Sequence, residues 1–461
     1  MKRLLLLSVL QALPLMLFAG TLFETEKVVT DPFIGERGGF QSLFINPAGV
    51  AGESAFEISS RGGLRAKPDD VRLIATMTTL SQELQLDADT DFSLNSVERI
   101  GKDLSKLYDA GVINDALIDS LFNGTSLDPS SVNWKDRDAV EKAAQKLADN
   151  SSEQTILRNK VEKIFNEPES DEAKAFYNAL PQNISMSTLV SGNMGFLIDG
   201  FGAGIYVQGA GDFNIDPSNR SFSLDSVHSE LGVIAGGGFE LFEGKLALGI
   251  TGNYGVLARN SAPIPATDFE SLINGPNSLL YGYSWGVDVG ALWRPTPELG
   301  VGVVFNDVVG STEVDYSRMA NGYAGLFSSG AFFASKLDYK VTLDMDAGIT
   351  WQPDWKVFVP RFSFDLYNVI GYAQDVIKYE DNFGEALNRS LGHMRFGANF
   401  TLFGILEAGA QYYNHYLSLG LGADLFILEV FGEVKVHDEV FKTRRFGQMP
   451  IGADVLVRLH F

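Results

Sequence analysis

The chain has 461 residues, including 48 Gly, 33 Phe, 15 Tyr and no Cys, and only 20% of it is charged. Acidic residues number 58 against 36 basic, a formal net charge of -22, which excludes nucleic acid as a general partner because phosphate binding needs a basic surface. The lack of Cys excludes disulfides, thiolate metal sites, cysteine catalysis and a lipid-bearing N-terminal Cys. Hydrophobic residues reach 45%, yet past the N-terminus no apolar run attains the roughly 20 residues a spanning helix needs.

Lys2 and Arg3, the apolar run Leu4 to Phe18, and the small residues Ala19 and Gly20 have the three-part layout of a secretory signal peptide over 1–20. An exported protein is expected, and not a lipoprotein. Residues 21–54 then hold the run Gln41 to Ala51, with Phe44, Ile45, Asn46, Pro47, Ala48 and Gly49 at its centre. Pro47 fixes its own φ and pushes Asn46 into an extended conformation, while Gly49 permits a sharp turn. Such punctuation around an apolar Phe-Ile pair suits a compact hatch folded inside something larger, or a turn ahead of a first strand.

Residues 55–86 read as the first strands, Ala55 to Gly63 and Asp70 to Leu80. Glycine then falls to three in residues 87–181, against 37 in residues 182–461. The glycine-poor zone reads as an α-helical insert. Val97, Ile100, Leu104 and Leu107 recur at helical spacing, and Leu117, Ile118, Leu121 and Phe122 form a second stripe ended by Asn123-Gly124. Further helices are predicted over Asp136 to Ala148 and Glu153 to Phe165, with a short one ending at Pro181. Asp87, Asp89, Asp91 and Glu98 match a calcium loop in spacing, but Phe92 stands where its tight turn needs Gly, so a polar linker is the better reading.

Residues 182–461 have period two. Tyr281, Tyr283, Trp285, Val287 and Val289 alternate with Gly282, Ser284, Gly286, Asp288 and Gly290, and the same contrast recurs around 341–351, 393–402 and 453–461. One face is bulky and apolar with aromatics near the ends, and the other is small and polar. A transmembrane β-barrel requires that pattern, because lipid covers one face, a polar lumen the other, and closure satisfies every backbone group. A soluble β-sandwich would bury its apolar face instead; the aromatic strand ends, the alternation of short and long connections and the terminal Phe461 favour the barrel. Counting back from Phe461 gives twelve strands after the insert and 14 in all. A segment near Ile184 to Val190 is the ambiguous one. Short connections are predicted at 243–244, 295–298, 352–354, 403–404 and 424–425. Long ones are predicted at 213–231, 259–280, 310–338, 368–392 and 437–451, with Asn414-His415 the only short one on their side. Parity then places the insert on the periplasmic side, and a miscounted strand would place it outside. The lumen-facing charges Asp288, Asp344, Asp346, Arg361, Asp365, Arg395, Glu407, Glu429, Lys435 and Arg458 could form a selectivity lining, but most read as a paired network holding a plug, since buried charges must find partners. The five His show neither metal spacing nor a nucleophile motif, so neither an enzyme nor a cofactor is expected.

The run Gln41 to Ala51, with its Asn46-Pro47-Ala48 motif behind a signal peptide and ahead of a 14-strand pattern, resembles the N-terminal signature of FadL-type outer-membrane transporters and their TraF-like relatives. The resemblance covers 21–86 and 182–461 and leaves the insert outside. It implies a 14-stranded barrel plugged by an N-terminal hatch in the bacterial outer membrane. It also implies uptake of long-chain fatty acids or other apolar small molecules, released sideways into outer-membrane lipid through a wall gap. Gly200, Gly202 and Gly204 are the candidate gap, where close glycines would weaken a strand. Apart from the resemblance, the periplasmic placement of the insert makes a periplasmic partner of that insert an expectation. A surface-exposed adhesion barrel and an open diffusion pore are the alternative functions.

Overall fold

In the computed structural model, antiparallel strands join edge to edge into a closed 14-strand barrel. The structure describes residues 31–73, 104–109, 111, 113–167, 169–180, 184–216, 221–260, 264–265, 279–310, 317–318, 333–334, 344–353, 355, 357–379, 383–439 and 450–461. The signal-peptide segment, the calcium-like spacing and Val97 and Ile100 lie outside them. The barrel strands are β1 (Ala55–Ala66), β2 (Ile184–Ile198), β3 (Phe201–Asp216), β4 (Ser221–Leu241), β5 (Leu246–Asn260), β6 (Leu279–Thr296) and β7 (Leu299–Gly310). They continue through β8 (Asp344–Trp351), β9 (Phe358–Leu366), β10 (Met394–Leu402), β11 (Leu406–Tyr413), β12 (Tyr416–Asp424), β13 (Leu428–His437) and β14 (Ile451–His460). β14 closes on β1 in the register Glu57↔His460 to Ala66↔Ile451, which leaves no free edge among the described barrel strands.

Side chains sort by alternation. Along β1, Glu57, Ser59 and Arg61 are buried while Phe56, Ile58 and Leu64 face outward. Bulky residues such as Tyr254, Trp285, Val233 and Leu421 clothe the outside all round. At the rim carrying the short turns, Phe201, Phe242, Phe403, Phe426 and Phe461 form an exposed aromatic belt. No described helix is long and apolar enough to cross a membrane.

The total of 14 strands stands, but the tally ahead of the insert needs correction. Residues 68–73 are helical, so Asp70 to Leu80 does not begin as a strand, and its remainder from 74 lies outside the described residues. Pro68 opens that turn, the position where a residue with fixed φ and no N–H is best tolerated. The replacement is β2, which covers the ambiguous Ile184 to Val190 and pairs with both β1 and β3. With one strand ahead of the insert instead of two, parity reverses. The insert leaves the barrel at the rim opposite the short turns, alongside the long connections, and not on the short-turn side. The connection expected at 213–231 also shrinks, because β3 reaches Asp216 and β4 begins at Ser221. The turn Asp199-Gly200, with φ of 51° and 81°, is a tight left-handed connection absent from the predicted set.

The insert is a helical domain with α1 (Asp115–Phe122), α2 (Arg137–Ala148), α3 (Ser151–Asn166) and α4 (Asp171–Ala179). Each begins at a side-chain cap: Asn114, Asp136, Asn150 and Ser170 accept from backbone N–H groups of the first turn. Leu104, Leu107, Leu117, Ile118, Leu121 and Phe122 share one core with Trp134 and Phe176, and Trp134 stacks on Phe122 at 5.6 Å. That core reaches Ile184 and Ile215, so the domain is seated on the upper ends of β2 and β3.

Candidate functional site

Residues 31–54 fold inside the barrel as a plug. Two short 3-10 turns, Phe40–Phe44 and Pro47–Val50, flank Asn46. The extended Asn46 (φ -151°, ψ 104°) is the conformation that the following Pro imposes. Its Oδ1 accepts from Ala48 N (3.1 Å), while Nδ2 donates to Ile34 O (2.8 Å) and to Ala291 O on β6 (3.3 Å). One amide side chain therefore closes the plug's turn, ties its two segments and fastens it to the wall.

The barrel glycines make room for this plug. A Cβ at Gly290 would collide with Asn46 Oδ1, at Gly249 with the Pro47 carbonyl, and at Gly302 with Ile34 O. Gly195 and Gly204 receive the Phe40 ring, which is completely buried. Gly202 is filled by Leu197 and Leu43.

Charges fix the other end. Glu36 accepts from Arg361 Nη1 (3.0 Å), Ser363 Oγ (3.2 Å) and Thr350 Oγ1 (3.4 Å), and Ile34 N donates to Asp365 Oδ1 (3.2 Å). The buried Arg395 guanidinium donates to Pro32 O and Asp31 O (both 3.0 Å), with its carbon 3.6 Å from the Phe33 ring centroid. Further round the wall, Arg61 and Lys435 meet Asp454 at 3.1 and 2.6 Å, and Arg458 meets Glu429 at 2.6 Å. Arg361, Asp365, Arg395, Lys435 and Arg458 thus stand in the paired network that the alternation placed in the lumen.

Phe44, Ile45, Asn46, Pro47, Ala48 and Gly49 come together as one unit, but they divide in role. Asn46, Pro47, Ala48 and Gly49 are buried structural residues, whereas Phe44 (37% exposed) and Ile45 face a cavity of about 810 Å³ above the plug. The Phe44 ring meets Phe40 and Tyr206 edge-on, at 5.6 and 5.5 Å. Gly232 and Gly255 leave space for the Tyr206 ring and for the Glu230 carboxylate. Tyr206 Oη (2.6 Å) and Gln208 Nε2 (2.7 Å) both donate to Glu230. Six carboxylates line this cavity, those of Asp31, Asp212, Glu230, Asp288, Asp307 and Asp454, against the three guanidiniums of Arg61, Arg65 and Arg458. Sequence reasoning missed Tyr206, Glu230 and Glu36; the polar parity of β4 was the only available signal for Glu230.

Gly200, Gly202 and Gly204 do not open the wall. Gly200 is the turn itself, and the ladder runs unbroken past the other two, Gly202↔Leu197 and Gly204↔Gly195 on one side and Gly202↔Gly236 and Gly204↔Ile234 on the other. Plug packing is what these two glycines serve. The marked distortion lies elsewhere: Val287 pairs with Val309 but Val289 with Phe305, so residues 306–308 bulge opposite Asp288. Asp307 takes φ 51° there, and its N–H donates to Asp288 Oδ1 (2.8 Å). The cavity lining reaches this bulge through Asp288 and Asp307.

Among solved structures, the chain is similar to a deltaS2 mutant of the TodX monoaromatic hydrocarbon channel (TM-score 0.42, 9% identity, 93% of this chain and 94% of that one). It is also similar to the Ralstonia pickettii toluene transporter TbuX (0.41, 9%, covering 95% and 100%) and to a Pseudomonas aeruginosa FadL homologue (0.37, 12%, covering 94% and 95%). At such identities and scores these are likenesses of barrel outline, and no residue role is taken from them. No protein-family model matches the sequence, and no curated protein matches it.

Proposed function

We propose that this protein is an outer-membrane channel that takes up apolar small molecules through a plugged barrel. The observation that carries the reading is the cavity above the plug, where Phe44, Ile45 and Tyr206 set an apolar and aromatic surface among the charged groups of the lumen. Pockets for small ligands combine apolar and aromatic surface with a few fixed polar groups, and this cavity has both. Long-chain fatty acids and hydrocarbons share the apolar body such a floor would hold; the head group is a matter of the cavity's charge. In this reading the long-loop rim faces outward, as in bacterial barrels generally, and the short turns face the periplasm. Sideways release into lipid would use the bulge of residues 306–308, where the cavity meets the wall, and not the glycines at 200–204.

The test is binding of a neutral environment-sensitive apolar fluorophore to protein refolded into lipid nanodiscs. Phe44→Asp is expected to weaken binding at least tenfold, and planar-bilayer conductance of the wild type is expected to be low. Absence of binding, or a large steady conductance, would refute the reading and favour a diffusion pore. One observation supports a surface-interaction role instead: the helical domain stands at the same rim as the long connections. A partner protein bound by that domain, with no apolar ligand in the cavity, is the outcome that reading requires.

A further inference from the structure

We infer that the cavity selects apolar molecules bearing a cationic group, an organic amine or quaternary ammonium, over the carboxylates of fatty acids. The inference rests on the channel reading and adds the ligand's charge to it. Carboxylates outnumber guanidiniums two to one in the lining, but their placement matters more than their number.

The guanidiniums sit on β1 and β14, where Arg61 and Arg458 are already matched to Asp454 and Glu429. The aromatic side of the cavity is different. There Glu230 is held by neutral donors, the Tyr206 hydroxyl and the Gln208 amide, so its charge is oriented without being cancelled by them. Asp288 likewise accepts a backbone N–H, that of Asp307. Asp288 and Asp307 come from different strands and are brought together by the bulge, which turns residue 307 back toward β6. The rings of Phe44 and Tyr206 line the same cavity. Ring faces carry negative potential, and a cation over them gains more when desolvated. Carboxylates and aromatic rings around one apolar space attract an alkylammonium head, and they repel a carboxylate head in the same place. The neutral hydrocarbon part is free to lie on Phe44 and Ile45.

The experiment compares ligands of one chain length in nanodiscs, each corrected for its partition into protein-free discs. Dodecyltrimethylammonium, dodecanol and dodecanoate compete for the neutral fluorophore bound in the cavity. The ammonium is expected to displace it at one-tenth the dodecanoate concentration or less, with dodecanol between them. Glu230→Gln combined with Asp288→Asn should erase that preference while keeping dodecanol displacement. Because Glu230 and Asp288 each hold hydrogen bonds, Asp307→Asn is the second variant: its backbone N–H to Asp288 is retained, and the preference should fall by a smaller factor. Dodecanoate displacing as well as the ammonium would overturn the inference and leave the channel reading intact. A wild-type ammonium preference that persists in all the variants would also overturn it. A fluorophore that never binds would instead remove the channel reading on which it stands.

Discussion

Asn46 concentrates much of the plug's fixation in one side chain, because its amide accepts from Ala48 N–H and donates to the carbonyls of Ile34 in the plug and Ala291 in the wall. Stranding a buried polar group costs about 1–3 kcal/mol, so Asn46→Ala should destabilise the plug locally by roughly 3 kcal/mol. Hydrogen exchange at the Ala48 and Gly49 amides should then accelerate on the order of a hundredfold. Asn46→Asp keeps the acceptor for Ala48 N but sets a carboxylate against two carbonyl oxygens, and a greater acceleration is expected. Exchange unchanged in both variants would show that the wall glycines alone hold the plug. At this scale the sequence was informative where chemistry is local: Asn before Pro is a cap in waiting, and Asn46 is one. Glu36 could not be read that way. Its partners Thr350, Arg361 and Ser363 lie more than 300 residues downstream and meet it only when the barrel closes.

At the level of elements, alternation was legible wherever its contrast was high and misleading where it was low. β6 sets Tyr, Trp and Val against Gly, Ser and Asp and was recognised directly. β2 places Thr188 and Gly192 among its outward positions and Leu189 and Leu197 among its inward ones, so the two faces blur and the strand hid in a doubtful segment. The helices of the insert were legible because their apolar residues recur at helical spacing in a zone poor in glycine. The junction between that domain and the barrel carries a pH-dependent element. Asp70, within the short helical turn of residues 68–73, is buried and accepts from Ser185 N at the head of β2 (3.4 Å). Burial raises its carboxyl above the usual range, against the opposing pull of Lys67. A raised carboxyl contributes stability when protonated; that contribution is complete below the unfolded value near 4 and is lost as pH rises through the folded one. Seating of the domain should therefore tighten as pH falls from 7. Asp70→Asn should resist limited proteolysis better than wild type at pH 7 and differ little from it in acid. Greater sensitivity of the variant at pH 7 would show that the ionised carboxylate is the stabilising form.

For the whole molecule, one strand decides which way the insert faces. Loop lengths were the only marker of sidedness legible before the strands were paired, so an error confined to residues 70–80 and 184–198 inverted the placement of a whole domain while leaving the total of 14 strands untouched. The structure supplies the missing constraint through pairing. β1 and β14 run antiparallel with Phe56 hydrogen-bonded to Phe461, so the upper end of β1 and the head of β14 share a rim. The insert follows β1 directly and inherits that rim. If long loops face outward, as the proposed function requires, the helical domain faces outward with them. A chain without native Cys makes this measurable with no background. Ser130→Cys lies on the exposed surface of the domain, and Gly404→Cys lies at an exposed short turn. A membrane-impermeant maleimide applied to intact cells should label the first and spare the second, and breaking the outer membrane should make the two equal. The opposite order would turn the barrel over, placing the domain in the periplasm and the cavity's mouth on the wrong side for uptake.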